Sequence, residues 1–282
     1  MNYAFEKLEA PGNPSVIFRG IVGSRAYGTA NAQSDTDTRG VFVVPSMEYV
    51  RLVPPPKQVS DAKNDHTYYS LLRFCELMAE ANPTTMEMLY LPEDCIITTT
   101  PAFETLVSHR DMFITRRAVE SHLGYAVSQM KKAKGANKRV WNPWPEEPPK
   151  PEDYGSRHAY ESAKRQHREY WEWRRNRNES RWVQQERGQL DYDAKNMMHL
   201  TRLLFSGENI VKNGCPIVRF TGEKLATLLS IRCGEWEFDK IIAHAEAIQA
   251  RIIDGKGRLP VDCDKGKVSD LIAEVTRKAG VA

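Results

Sequence analysis

Three features are missing from this 282-residue sequence. It has no run of apolar residues near the length of about eighteen that a membrane-spanning helix needs. Its N-terminus, MNYAFEKLEAPGNPS, contains acidic residues and lacks the apolar core of a secretory signal peptide. The five cysteines are odd in number and lack the short paired spacings of a disulfide framework or a zinc site. These absences predict a cytoplasmic protein that does not contact a membrane.

A strong excess of charge of one sign is also absent. The formal net charge is +3, which is too small to indicate a nucleic-acid partner by itself, so the distribution of charge along the chain matters more than its sum. The length is ample for a hydrophobic core and allows one large or two modest domains.

The N-terminal part contains a pattern typical of a strand followed by a tight turn. Residues 15–22 (SVIFRGIV) are rich in β-branched and aromatic residues and predict a strand that ends at Gly23. Small residues let the backbone approach a ligand closely. Gly23 and Ser24 therefore form a candidate phosphate-binding turn, with backbone N–H groups and the Ser24 hydroxyl as donors.

A second predicted strand, residues 34–44 (SDTDTRGVFVV), contains two carboxylates. Side chains two residues apart in a strand lie on the same face, so Asp35 and Asp37 are expected to point the same way. Neighbouring carboxylates repel unless a cation lies between them or one is protonated. Mg²⁺ favours a few carboxylates together with substrate phosphates, and Mn²⁺ is an alternative. Together with Gly23 and Ser24, this pattern predicts a metal-dependent nucleotide site.

The segment GSRAYGTANAQSDTDTRGVFV resembles the Gly-Ser and Asp-x-Asp core of the DNA polymerase beta-type nucleotidyltransferase superfamily. More narrowly, the chain is similar to a family of predicted nucleotidyltransferases from bacteria and phages. The further elements that carry this similarity are Asn82-Pro83, Tyr192-Asp193-Ala194-Lys195 and His199-Leu200-Thr201-Arg202. The resemblance implies an α+β protein, with a small mixed sheet and flanking helices followed by an α-helical C-terminal domain.

The superfamily uses a third carboxylate on a later strand, and the resemblance implies one here. Asp65 is the chosen residue because an apolar run with helical spacing, residues 71–78, follows it shortly afterwards. Asp61 is the competing residue, and both could be loop carboxylates. His66 is expected to be structural.

The resemblance also implies a mechanism. Asp35, Asp37 and Asp65 hold the metal ions, and an acceptor hydroxyl attacks the α-phosphate of a nucleoside triphosphate in line with the departing pyrophosphate. Asp65 positions or deprotonates that hydroxyl. Arg25 and Arg39 could reach a phosphate or could be surface residues.

The chain changes character along its length. Residues 1–105 are predicted to form the nucleotidyltransferase domain, and residues 106–282 a mostly helical domain. The first helix of the second domain is expected to end at the sequence KKAKG, residues 131–135. Three more helices are predicted, over residues 221–231, 235–253 and 264–279.

An insertion at about residues 131–187 contains fifteen basic and nine acidic residues and five of the six tryptophans. Its first half is proline-rich and predicts a loop or extended arm. Its second half, residues 158–187, predicts a charged helix. Basic residues interleaved with aromatic ones suit single-stranded RNA or DNA. The alternative is an insertion whose aromatic side chains cover the junction between domains and whose charges are solvated.

Another helix is predicted over residues 190–206, with Lys195, His199 and Arg202 forming a basic stripe at i, i+4 and i+7. By the resemblance, this stripe is expected to bind the triphosphate, and otherwise it is a solvated face. Tyr192 could stack on the base and Asp193 could hydrogen-bond to it, or both could be features of a helix start.

The predicted function is transfer of a nucleoside monophosphate from a nucleoside triphosphate to an acceptor hydroxyl, on a nucleic acid, a protein or a small molecule. The alternative is a catalytically inactive module that binds nucleic acid or a partner on the same scaffold. The sequence leaves the acceptor, the preferred base and the oligomeric state open.

Overall fold

The computed structural model describes residues 3–141, 143–176, 190 and 192–280. A five-stranded mixed sheet with short helices occupies residues 3–108, here called the sheet region. Residues 116–280, the helical region, contain long helices. The structure confirms the predicted α+β class. The domain boundary predicted at residue 105 falls inside a helix, Pro101–Ser108, and the division itself stays a prediction.

The strands are ordered β3-β4-β2-β1-β5 across the sheet. Strand β2 pairs with β4 in parallel, and the other neighbouring pairs are antiparallel. The strands are β1 (Val16–Val22), β2 (Asp37–Phe42), β3 (Gln58–Ser60), β4 (His66–Ser70) and β5 (Ile96–Thr99).

The helices of the sheet region are short, and those of the helical region are mostly longer. They are α1 (Phe5–Glu9), α2 (Gly23–Tyr27), α3 (Leu71–Ala79), α4 (Pro83–Met88), α5 (Pro101–Ser108), α6 (Arg116–Trp141), α7 (Arg157–Asn176), α8 (Ala194–Asn213), α9 (Gly222–Arg232), α10 (Phe238–Gly255) and α11 (Lys265–Lys278). Among the described residues, none of these helices is long and apolar enough to cross a bilayer.

Both faces of the sheet are covered, and the alternation of side chains along β2 shows how. Val41 and Val43 belong to the main hydrophobic core, whereas Phe42 and Val44 belong to a smaller cluster that includes Leu8 of α1. Helices α3 and α5 pack on the main-core face. By the same alternation, Asp37 lies on the main-core face, at the end of the strand.

The helical region is built around α6 and α8, which pack along each other, with α9 and α10 against α8. The prediction that the first long helix ends at residues 131–135 is wrong, because α6 continues to Trp141. The three helices predicted nearer the C-terminus are confirmed as α9, α10 and α11.

Helix α11 returns to the sheet region and packs on α3 and α5. The Lys278 ammonium donates to Thr105 Oγ1 at 3.0 Å. Just before α11 begins, Asp262 Oδ2 lies 3.0 Å from the guanidinium of Arg117, which is near the start of α6. The helical region thus contacts the sheet region through its last described helix.

Candidate nucleotide-binding site

The predicted site residues of the sheet region meet at one edge of the sheet because of strand direction. Strands β2 and β4 are parallel neighbours, so their N-terminal ends lie side by side, and the C-terminal end of antiparallel β1 joins them. Gly23 and Ser24 follow β1, Asp37 is the first residue of β2 with Asp35 in the loop before it, and Asp65 immediately precedes β4.

Asp37 and Gly23 are in close contact at this edge. Gly23 has a φ of +68°, and a Cβ added there would lie 2.7 Å from Asp37 Oδ2. Only glycine adopts this backbone conformation readily and leaves room for the carboxylate. The backbone turn after β1 and the Asp37 carboxylate therefore form one compact surface.

Electrostatics connect the three carboxylates. Partial burial raises the pKa of Asp37, and the neighbouring carboxylates of Asp65 and Asp35 raise it further. The cations of Arg39 and Lys195 act in the opposite direction and lower it. A half-buried carboxyl with two acidic neighbours is a place where a bound cation is favourable.

Asp35 lies outside the strand that the sequence predicted to contain it. Strand β2 begins at Asp37, so strand alternation does not orient Asp35. Its backbone is held instead by Arg25, whose guanidinium donates to Ser34 O at 2.9 Å and to Asp35 O at 3.3 Å. Arg25 therefore fixes the loop that carries Asp35 to the turn that carries Ser24.

The two candidates for the third carboxylate have different surroundings. The Asp61 carboxylate accepts from His66 N at 3.0 Å within the β3–β4 turn, and hydrogen bonds from backbone N–H groups lower its pKa. Asp65 influences the pKa of Asp37, and its carbonyl accepts from Arg39 at 2.8 Å and from Thr38 N at 3.0 Å. His66 Nδ1 lies 2.8 Å from Thr38 Oγ1, which agrees with its predicted structural role.

The three residues of the basic stripe on α8 differ in how far they are buried. Lys195 is exposed and close enough to Asp37 to lower its pKa, and His199 is half-buried. Arg202 is only 7% exposed and lies inside the junction between the two regions. Arg202 is therefore buried and paired with Glu87, unlike exposed Lys195, and its predicted contact with the triphosphate stays a prediction.

Tyr192 is likewise buried, so its predicted stacking on a base stays a prediction. Its ring is 1% exposed and packs against Phe238, and its hydroxyl donates to Trp236 O at 2.5 Å. Asp193 is the N-cap of α8, with its carboxylate accepting from Asn196 N at 3.1 Å. The reading of these two residues as features of a helix start agrees with the structure.

A buried polar cluster that sequence reasoning missed joins the two regions. Glu87 of α4 accepts from Tyr27 Oη at 2.7 Å and from Arg202 Nη1 at 2.5 Å. The Arg202 guanidinium also lies over the Tyr27 ring, 3.9 Å from its centroid. Asn82-Pro83 marks the start of the helix that carries Glu87, so this motif was the feature of the sequence that could have indicated the buried cluster.

The helical region also holds the C-terminal end of α2. Arg219 Nε donates to Ala26 O at 2.7 Å, Phe220 N donates to Tyr27 O at 3.1 Å, and Arg232 donates to Thr29 O. Helix α2, which begins with Gly23 and Ser24, is therefore fixed between the sheet and the helical region.

The donor set fits a divalent ion that is completed by a substrate. Among the residues that the structure describes, no three His, Cys, Asp or Glu side chains form a ready-made metal-binding group. Mg²⁺ takes one or two carboxylates plus phosphate oxygens and water, so it does not need a complete protein cage. The space left by Gly23 beside Asp37 Oδ2 and the carboxylates near Asp37 suit that mode of binding.

A mixed sheet with carboxylates and a Gly-Ser turn at one edge, joined to a helical region, is the arrangement expected of a DNA polymerase beta-like protein, and the family comparison places the chain in that class. The chain belongs to the RlaP family, described as the RNA repair pathway DNA polymerase beta family, which matches residues 1–252.

A protein of Enterobacteria phage T4, described as an uncharacterised 38.9 kDa protein in the nrdC-mobD intergenic region, is also similar. It is 27% identical over 128 residues, which cover 41% of this chain and 38% of the phage protein. The match thus spans well under half the length of that relative. No solved structure matches the chain.

Proposed function

We propose that this protein is a metal-dependent nucleotidyltransferase that moves a nucleoside monophosphate from a nucleoside triphosphate to an acceptor hydroxyl and releases pyrophosphate. The observation that carries the proposal is the half-buried Asp37 carboxylate, which lies against Gly23 and is influenced by Asp35 and Asp65. Such a concentration of negative charge is unfavourable without a cation.

Each residue of the proposed site has a role in binding the metal ion or the nucleoside triphosphate. Asp35, Asp37 and Asp65 would hold Mg²⁺ or Mn²⁺, which supplies neutralisation of the triphosphate charge. Gly23 and Ser24 donate to phosphate oxygens, and Arg25 keeps Asp35 in place through the loop backbone. Lys195, together with His199 one turn along α8, contacts the triphosphate from the helical region.

The acceptor oxygen forms a bond to the α-phosphorus as the bond to pyrophosphate breaks. Asp65, immediately before β4, orients the acceptor hydroxyl and accepts its proton. Arg39 supports Asp65 by binding its carbonyl. Chemistry of this kind depends on positioning and charge, so it needs no nucleophilic serine, cysteine or histidine.

An RNA hydroxyl is the acceptor that we propose. The description of the family refers to an RNA repair pathway, and that description supports RNA over a protein side chain or a small molecule. An RNA terminus would approach the open side of the sheet edge, where Asp35 is exposed.

Calorimetric titration with each nucleoside triphosphate in Mg²⁺ tests the nucleotide site without knowledge of the acceptor. We expect binding by the wild type that is lost in the double variant Asp35→Asn/Asp37→Asn and retained in Asp61→Asn. The Asp61 variant is a control for the loss of one nearby carboxylate charge, because the Asp61 side chain accepts from His66 N within the β3–β4 turn.

Absence of binding to the folded wild type would overturn the proposal and favour an inactive module on a nucleotidyltransferase scaffold. Incorporation of a radiolabelled nucleotide into an RNA oligonucleotide then tests transfer. A DNA oligonucleotide of the same sequence tests whether the acceptor is RNA.

A further inference from the structure

The proline-rich turn, residues 143–149, folds back onto helix α7. Trp171 Nε1 donates to Pro145 O at 2.9 Å, and His167 Nε2 lies 2.9 Å from the same carbonyl oxygen. The Trp144 ring meets the His167 ring edge to face, with 5.9 Å between centroids. The predicted extended arm is therefore a packed substructure, at least through residue 176. Trp182 and the rest of the predicted helix through residue 187 lie outside the described residues.

A cavity of about 470 Å³ lies between this turn and α7. Arg168, Trp171 and Arg175 are spaced at i, i+3 and i+7, so they lie on one face of the helix. The turn closes the other side. The lining residues are Glu146, Pro148, His167, Arg168, Trp171 and Arg175.

The cavity combines an aromatic ring with cations. The indole N–H of Trp171 is already satisfied by Pro145 O, so the ring surface is what Trp171 offers to a ligand. Arg168 and Arg175 are exposed, and the guanidinium of Arg174 lies 5.9 Å from the Trp171 ring centroid. Glu146 adds one hydrogen-bond acceptor.

This chemistry discriminates between ligand classes. A free phosphate would use the guanidinium groups but not the indole ring, and an apolar peptide would use the ring but not the cations. A nucleotide within a strand uses both, because its base stacks on an aromatic ring and its phosphates bind arginine. Adenine, guanine and cytosine also carry an exocyclic amino group that can donate to Glu146. In duplex RNA the base faces are stacked on each other and are not accessible.

We propose that this cavity binds a nucleotide of single-stranded RNA, with the base on Trp171 and the flanking phosphates on Arg168 and Arg175. The identification of that RNA as the acceptor strand rests on the function proposed above, whereas the binding site itself does not. None of the residues that line the cavity belongs to the sheet region, so RNA binding and nucleotide binding can be tested with separate variants.

Fluorescence anisotropy of a short labelled oligoadenylate tests the site with the full chain. The informative pair is Trp171→Leu and Trp171→Phe. Both variants lose the hydrogen bond to Pro145 O, and only Phe keeps a ring that can stack. We expect Trp171→Leu to weaken binding by about tenfold or more and Trp171→Phe to retain most of it.

A second pair of variants tests the phosphate contacts. Arg168→Ala/Arg175→Ala is compared with Arg157→Ala/Arg165→Ala, which removes the same charge from exposed positions of α7 outside the cavity. We expect the first double variant to reduce the slope of log K against log salt by about 1.4, for two phosphate contacts to a single strand. The second is expected to leave the slope unchanged.

The proposal is overturned if both double variants weaken binding equally, because the basic surface would then act diffusely. It is also overturned if duplex RNA binds as well as the single strand, or if the Leu and Phe variants behave alike. Calorimetric binding of nucleoside triphosphate and Mg²⁺ by the same variants separates this result from the proposed function. Cavity variants that lose RNA binding and keep nucleotide binding support the proposed RNA site. A folded wild type that binds nucleotide but no RNA at low salt refutes the RNA site and leaves the proposed nucleotidyltransferase function standing.

Discussion

Arg202 of α8 and Glu87 of α4 form a buried ion pair across the junction of the two regions, with Nη1 and Oε1 2.5 Å apart. The side chains are 8% and 5% exposed. Tyr27 completes the cluster by donating to the other carboxylate oxygen and by placing its ring under the guanidinium. The helix that begins at the Gly-Ser turn is thereby linked to the helix that carries Lys195.

Arg202→Met should lower the free energy of unfolding by about 3–5 kcal/mol, because it leaves the Glu87 carboxylate buried without its cation. Urea unfolding monitored by circular dichroism measures the change. The control is Lys256→Met, which breaks a partly exposed pair with Glu120 in the same region and should cost about 1 kcal/mol or less.

The double variant Arg202→Met/Glu87→Gln should be less destabilised than the sum of its single variants, since it removes the unpaired charge. A cost for Arg202→Met no larger than that for Lys256→Met would show that the buried pair does not hold the junction.

Asp37→Asn should make the metal-free protein more stable at neutral pH. The pKa of folded Asp37 is raised above the ordinary aspartate value. In the pH window between these two pKa values, the folded state binds more protons than the unfolded state. Wild-type stability therefore falls as the pH increases through that window, and the Asn variant escapes this loss. Below the ordinary aspartate pKa the difference should disappear.

Thermal unfolding midpoints at neutral and acidic pH, with chelator and with Mg²⁺, measure the effect. Mg²⁺ should raise the midpoint of the wild type and not that of Asp37→Asn. The charge-removing control Asp61→Asn should have the opposite sign at neutral pH, because hydrogen bonds lower the pKa of folded Asp61. A less stable Asp37→Asn variant in chelator at neutral pH would contradict the argument.

Gly23→Ala should abolish binding of Mg²⁺ and nucleoside triphosphate. The new methyl group would lie 2.7 Å from Asp37 Oδ2 and would displace the carboxylate. Gly12→Ala is the matched control, because Gly12 has a similar φ of +73° with no atom within 4 Å of an added Cβ. Both variants should show the strain of a left-handed alanine, about 1–2 kcal/mol.

Only Gly23→Ala should lose nucleotide binding in calorimetry. Equal affinities for the two variants would separate the Gly23 turn from the nucleotide site.

Asp65→Asn should reduce kcat by a factor on the order of 10²–10⁴ if Asp65 accepts the proton of the acceptor hydroxyl. Asp61→Asn should keep kcat near the wild-type value, since its side-chain oxygen can still accept from His66 N. Steady-state incorporation of labelled nucleotide into RNA gives both values. The reverse order of effects would assign the third carboxylate to Asp61.

Two strands of the sheet and one of its covering helices were predictable from sequence. Alternating and β-branched residues mark β1 and β2, and the helical spacing after residue 70 marks α3. The proximity of Asp65 to Asp37 depends on the parallel pairing of β2 with β4, which the sequence pattern did not determine. The resemblance to the nucleotidyltransferase superfamily supplied the expectation of a third carboxylate beside Asp35 and Asp37.

Burial at the junction was not predictable. Lys195 and Arg202 are seven residues apart and lie on the same helical face, so periodicity treats them alike. They are separated by about two turns along α8, and the environment changes over that distance from the exposed sheet edge to the Glu87 cluster. Periodicity identifies which face a residue occupies, but only the tertiary structure determines what covers each part of that face.

The return of α11 to the sheet region has a consequence for the order of events during synthesis. The faces of α3 and α5 that α11 covers belong to residues 71–108, whereas α11 is made only after residue 264. As the chain leaves the ribosome, α3 and α5 therefore expose this apolar surface to chaperones or to aggregation until more than half of the sequence has followed. Val268, Leu271 and Val275 then close it.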